Sequence, residues 1–317
     1  MVINGSEHDK IDFSIDGETN THCQKNTYLG AVIHEESSFT QFIEDHAAEK
    51  NKNLIKMYSF LNKNADLPYK IKSRVLEACL FSSVLYSCES WFNDNLGKLN
   101  KMYMASIKAV LGVRETCPNA IALIEGGFVR LSAMVKERQF KFYSKLTSRR
   151  LHMDDDPFMF MLTTARQSNT PAAQYIDRIL QHTDMSFIKS DTQALQNIIR
   201  ESAGSRFTTY LDLNADLLRH CMYDRSEIPE YARIDLTRFR TGSHRLKVET
   251  GRWSRISREL RLCSCEKGEV QDERHLIESC QHLSNLRLAY PELVFRAEEF
   301  FFTTQEKLLC LSTKLWI

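Results

Sequence analysis

The chain has 317 residues, of which 43% are hydrophobic, 26% charged and 10% aromatic. That is globular composition, which excludes wholesale disorder and low-complexity architecture, and the length suits about two domains. The longest uncharged apolar-leaning run, Ala78 to Cys88, is far short of the roughly 20 residues that span a bilayer, so no membrane partner is expected. The opening MVINGSEHDK carries no apolar signal core. Nine cysteines are an odd number. Without a secretory signal they predict free thiols in a reducing intracellular compartment, nuclear or cytoplasmic, with some on a metal.

The net charge of +1 conceals a segregation of sign. Residues 1–49 carry two basic and ten acidic side chains, whereas 136–150 carry six basic and one acidic, and 228–262 nine and four. Residues 48–114 are basic as well, eleven against five. Clustered Lys and Arg can build a local polyanion-binding surface on a neutral chain. Helices also carry such residues on their wet faces as a matter of course.

In chain order, the first forty residues read as β. Asn4-Gly5 and Asp16-Gly17 are turn signals, and Ile11, Phe13 and Ile15 alternate with polar residues. The run Tyr28 to Ile33 reads as a third strand with Gly30 inside it, where glycine marks a bulge or the close approach of another backbone or ligand. After residue 39 the period becomes helical. Ile43, Ala47, Leu54, Tyr58 and Leu61 form a first stripe, interrupted near Asn51. Pro68 opens a second helix with Ile71, Val75, Cys79 and Ser82 on one face and Leu76, Leu80 and Val84 beside it. Leu96, Leu99, Tyr103, Ile107 and Val110 make a third stripe ended by Gly112, and Leu131 to Leu146 a fourth, basic helix. Residues 151–171 read as a loop, 172–202 as a helical stretch broken near Gly204, 210–240 as mixed, and 291–310 as a terminal helix.

Cys263, Cys265, His275 and Cys280 give the spacing Cys-x-Cys-x9-His-x4-Cys. Thiolates and a neutral imidazole are zinc ligands, four in number in structural sites. In extended chain, residues two apart point to one side, so Cys263 and Cys265 can share an ion. The intervening loop is too polar to fold by apolar burial, and a bound zinc supplies about 10–16 kcal/mol of apparent folding energy to such segments. One structural Zn²⁺ is therefore expected, with His282 as a substitute for His275. Free thiols and a surface histidine are the plain alternative.

Three landmarks now stand in order: Tyr28-Leu29-Gly30, basic helices, and the Cys/His cluster. Together they resemble the C-terminal part of a non-LTR (LINE-type) retrotransposon reverse transcriptase. NTYLGAVI is similar to the primer-grip strand that ends the palm, and KIKSRVLEACLFSSVLYSCESW to the thumb, with Tyr86, Glu89 and Trp91 in its Tyr-x-x-Glu-x-Trp end. KAVLGV is similar to the Leu-Gly after the next thumb helix. FRTGSHRLKVETGRWSRISRELRLCSC through DERHLIESC resembles the zinc-binding segment, where an Arg-x-Gly turn precedes the metal knuckle.

The resemblance implies a mainly α fold with short N-terminal strands as a palm remnant. It divides the chain into 1–39 (palm remnant), 40–150 (helical thumb), 151–235 (helical connector), 236–290 (zinc-binding segment) and 291–317 (C-terminal helix). It also implies binding of element RNA and target DNA, with Tyr28 and Gly30 near a primer end and Lys70, Lys72, Arg74, Arg238, Arg240, Arg245 and Arg252 on phosphates. Phe239, His244 and Trp253 are candidates to stack on bases, Trp253 alternatively to lid the knuckle. The paired carboxylates of two-metal polymerisation lie upstream of the primer grip in the family, and nothing in residues 1–27 resembles them. Asp154-Asp155-Asp156 precedes Pro157 without flanking strands and reads as a solvated acidic loop. The expectation is thus a non-catalytic remainder of an RNA-directed DNA polymerase opened at an internal Met, with no small-molecule substrate. A chain completed by a separate palm into an active enzyme, and a zinc-stapled protein-interaction module, are the alternatives.

Overall fold

The computed structural model describes residues 5–28, 31–36, 39–92, 94–148, 156–181 and 186–289. The chain is mainly helical, with two antiparallel strand pairs near its start. Strands β1 (Phe13–Ile15) and β2 (Glu18–Asn20) pair across the Asp16-Gly17 turn, both of whose residues have positive φ, the conformation a two-residue hairpin needs. Strands β3 (Lys25–Tyr28) and β4 (Ala31–His34) pair with Tyr28 opposite Ala31. The expected single strand from 28 to 33 is therefore two strands of a hairpin. Gly30 lies outside the described residues.

The helices are α1 (Phe39–Lys63), α2 (Tyr69–Val75), α3 (Ser82–Val84), α4 (Gly97–Leu111), α5 (Asn119–Gly126), α6 (Leu131–Thr147), α7 (Pro157–Gln167), α8 (Pro171–Leu180), α9 (Phe187–Glu201), α10 (Ser205–Leu213), α11 (Glu230–Arg240), α12 (Lys247–Trp253), α13 (Glu273–Glu278) and α14 (Ser284–Ala289). A π-helical stretch, Leu76–Phe81, joins α2 to α3. Its wider turns shift the stripe read from the sequence: Leu76, Leu80, Phe81 and Val84 are buried, while Ile71, Cys79 and Ser82 face outward. The α4 stripe is buried as read, and Gly112 ends that helix at φ +73, where an added Cβ would stand 2.9 Å from Ile234.

The expected loop at 151–171 contains α7. Asp156 caps it by accepting from the Phe158 and Met159 amides, and Pro157 occupies the first helical turn, where its missing N–H costs nothing. Asp154 and Asp155 are outside the described residues, as is the expected helix at 291–310. No helix among the described residues is long and apolar enough to cross a membrane. The eight described cysteines are all free.

Two compact units divide the chain, and neither is continuous in sequence. The first comprises residues 1–57, 77–103 and 130–190, the second 58–76, 104–129 and 191–317. Segments remote in sequence thus belong to one unit.

In the first unit, Tyr143, Leu146, Leu162, Tyr175, Ile176 and Ile179 of α6, α7 and α8 form one apolar cluster. Beside it the segment Tyr86–Trp91 makes a tight turn through Ser87 at φ +55. Its carbonyls are held by two side chains of α6. The Gln139 amide donates to Cys88 O at 2.9 Å and to Trp91 O, and Tyr143 donates to Glu89 O. Trp91 is buried against Phe39, Phe42 and His46, with centroids 5.7–6.5 Å apart.

In the second unit the core carries charge. The Glu125 carboxylate on α5 is sealed from solvent and accepts from Arg240 Nε (2.7 Å), Tyr210 (2.8 Å) and Tyr223 (2.9 Å). Glu230 accepts from Arg233 Nε at 2.8 Å and Nη2 at 2.7 Å and from Lys72 Nζ at 2.9 Å, while Arg233 Nη2 and Nη1 also reach the Val110 and Leu111 carbonyls that end α4. Buried charges are tolerated only when paired and hydrogen-bonded in this way.

Candidate metal centre

Local chain geometry in the second unit delivers four ligand-type side chains to one point. Helix α11 ends in a Schellman motif, with Gly242 at φ +63, its N–H on Phe239 O (3.4 Å) and the Ser243 N–H on Arg238 O (2.7 Å). The chain then enters α12. After it, residues 261–271 form a small hairpin: Leu262 bridges Val270, and the Cys263 N–H donates to Glu269 O at 2.8 Å. Gly268, at φ +65, turns it. Asp272 caps α13 by accepting from the His275 N–H, which places His275 on the first turn, and the Cys280 N–H closes on His275 O at 2.8 Å.

Cys263, Cys265, His275 and Cys280 are all buried, and their ligand atoms lie within 4.8 Å of one another. Cys263 Sγ is 3.7 Å from Cys280 Sγ, and Cys265 Sγ is 3.4 Å from His275 Nε2. This cluster could hold a metal ion, and its donor set is consistent with zinc.

The surroundings act differently on the cysteines of the cluster. Backbone donation from Lys267 lowers the Cys265 thiol to about 7, against burial and helped by Cys263, the Gln281 backbone and His275. Burial pushes Cys280 up to about 11, with the His282 backbone opposing it. In both places the amide two residues past the cysteine faces its sulfur. His275 turns Nε2 inward. Its Nδ1 lies 2.6 Å from Glu269 Oε2 and 2.9 Å from Ser279 Oγ, and the Ser279 hydroxyl also donates to Glu269 at 2.6 Å. A carboxylate on the outer nitrogen fixes the tautomer that leaves Nε2 as an acceptor, the usual arrangement around a metal-bound histidine. His282 is not in the cluster; its Nε2 sits 3.1 Å from Ser264 Oγ.

The residues singled out for nucleic acid are sorted by burial. Lys70 and Arg74 are exposed on α2, Arg245 is exposed, and Trp253 is half-exposed with the Arg114 guanidinium 4.1 Å above its ring centroid. Tyr28, in the first unit, is exposed. Arg238 is partly buried and donates to Gly112 O at 2.7 Å. Arg252 is partly buried, 3.3 Å from Glu249 Oε1 and bonded to Ser205. Lys72 and Arg240 are corrected: they are 5% and 1% exposed and committed to Glu230 and Glu125, so neither presents charge to a phosphate. Phe239 and His244 are likewise buried. His244 accepts from the Leu246 N–H and meets Glu273 Oε1 at 2.7 Å, which ties the turn after α11 to α13.

Sequence reasoning missed Glu269, Ser279 and Arg114. Their positions carry no spacing signature, since each acts through a partner brought near by the fold. Comparison with protein-family models, with curated proteins and with solved structures returned no match.

Proposed function

We propose that this chain is a nucleic-acid-binding, non-catalytic C-terminal part of a non-LTR (LINE-type) retrotransposon reverse transcriptase, in which one structural Zn²⁺ orders residues 236–290. The observation that carries the reading is the buried Cys₃His cluster that follows the Arg240-Thr241-Gly242 turn across α12, the order in which the family places its turn and metal knuckle. Cys263, Cys265, His275 and Cys280 would hold the ion in a closed tetrahedral site that contributes folding energy and offers no position for substrate. The helices before it would form the thumb, and Lys70, Arg74, Arg238, Arg245 and Arg252 would meet phosphates of element RNA and target DNA.

Phosphate contacts position a protein without reading sequence, and each releases counterions. The test is the salt dependence of affinity for an RNA–DNA duplex, followed by fluorescence anisotropy. The slope of log K against log salt should be about −0.7 to −0.9 per contact, with Arg245→Glu weakening binding to all sequences alike. Primer-extension assays with Mg²⁺ and nucleotides should give no product above a blank. A folded chain with no affinity for any nucleic acid at low salt would favour the protein-interaction module, and extension lost in Asp155→Asn would overturn the non-catalytic reading.

A further inference from the structure

The second unit contains a pocket of about 220 Å³ where the end of α4 meets the turn between α11 and α12. Arg114, Arg238 and Arg245 line it, together with Gly112 and the stretch Ser243–Leu246. The one carboxylate on its wall is Asp235, 3.7 Å from Arg238. Glu249, which also attracts Arg114, is already engaged by Arg206 and Arg252.

Arg114 and Arg238 each have an anchoring contact that is not an acid. Arg114 lies over the Trp253 ring, and its Nη1, although buried, has no hydrogen-bond partner among the described residues. Arg238 is anchored through Nε on Gly112 O. Burial, and then repulsion from Arg245, Arg238 and Arg206, weakens the proton affinity of Arg114, with Glu249 acting the other way. Guanidiniums remain charged under all ordinary conditions, so the concavity keeps a local excess of positive charge in partly desolvated surroundings. Such a concavity gains most from an oxyanion that takes several N–H donors at once.

We infer that this pocket seats one phosphate group of a bound nucleic-acid strand, with Arg114, Arg238 and Arg245 as its donors. The inference rests on the nucleic-acid reading above and adds to it a defined subsite and a residue, Arg114, that the charge pattern alone does not single out. Arginine suits the task because its planar fork offers paired donors to phosphate oxygens. The half-exposed Trp253 ring borders Arg114, so the nucleotide attached to that phosphate has an aromatic surface beside it. Asp235 sets the orientation of Arg238 and repels an anion placed on its own side of the pocket.

The experiment uses the full zinc-loaded chain and a fluorescein-labelled RNA–DNA duplex, with inorganic phosphate and pyrophosphate as competitors. Arg114→Gln and Arg245→Gln should each weaken duplex binding about tenfold and reduce the salt slope by the equivalent of about one phosphate contact. Pyrophosphate should compete against the wild-type chain and lose that effect in Arg114→Gln. If Arg114→Gln fails to fold, Arg114→Lys, which keeps the charge without the fork, should still weaken binding and blunt the competition. Unchanged affinity and slope in folded Arg114 and Arg245 variants would overturn the subsite while leaving nucleic-acid binding elsewhere on the chain intact. No duplex binding at all, with inorganic phosphate bound by the wild type and not by Arg114→Gln, would overturn the strand phosphate and the nucleic-acid reading together, leaving a small-anion site.

Discussion

Arg240 Nε lies 2.7 Å from Glu125 Oε1, and the two side chains are 1% and 0% exposed. An opposite-charge pair sealed this completely holds the second unit together through what its removal would leave behind, a lone charge without water. Burial pushes Glu125 up, but the Arg240 charge and the bonds from Arg240, Tyr210 and Tyr223 outweigh it, so its pKa falls below the ordinary carboxylate range.

Truncation of this pair should therefore register as lost stability. Arg240→Ala and Glu125→Ala should each cost about 3–5 kcal/mol in denaturant unfolding. A small stability loss with a large loss of nucleic-acid affinity in Arg240→Ala would mean that the guanidinium faces outward.

A second titration acts over a different range. Burial, reinforced by Arg240 and Arg225, lowers the His220 imidazole to about 4, although Glu125 pulls the other way. Folding then favours the neutral ring, so its contribution is complete above the unfolded value near 6.5 and is lost as pH falls from there towards 4. Unfolding midpoints should decline over that window. His220→Asn, which retains an acceptor for the Met222 N–H that His220 Nδ1 now takes, should flatten the decline. An equal decline in the variant would place the titration elsewhere.

In the first unit, Gln139 satisfies the Cys88 and Trp91 carbonyls and accepts from the Tyr175 hydroxyl at 3.1 Å. Gln139→Leu preserves approximate volume and removes all three bonds, each worth about 0.5–1.5 kcal/mol. Its denaturation midpoint should fall by more than that of Gln174→Leu, an exposed glutamine of α8. Comparable midpoints would show that water replaces the lost bonds.

The Glu269 carboxylate touches the candidate metal centre through His275 and Ser279. Glu269→Ala should weaken zinc affinity about 10–100-fold, as loss of an outer carboxylate does at other histidine sites, without changing the number of ions bound. Competition with a chromogenic chelator reads this directly, and wild-type affinity in the variant would remove Glu269 from the site.

What the sequence made legible follows from where the physical constraint is local. The α4 stripe and its Gly112 terminus lie within seventeen residues, and the Cys/His spacing spans eighteen. Both are buried as read. The burial of Lys72 and Arg240 is not legible in the sequence because their acids, Glu230 and Glu125, lie 158 and 115 residues away, beyond any periodicity. Helix α7 differs in kind, since Asp156-Pro157 is a local helix start whose two residues also suit a loop. In the 69–84 region the π-helical turns moved the buried face by part of a turn, a shift no fixed-period reading contains.

In the proposed function, Cys263, Cys265, His275 and Cys280 form one closed zinc site. Native mass spectrometry of the purified full chain, beside the Cys263→Ser/Cys265→Ser double variant, tests it most directly. One zinc per chain in the wild type and none in the double variant is the predicted result. Stoichiometric zinc retained by the double variant would contradict it.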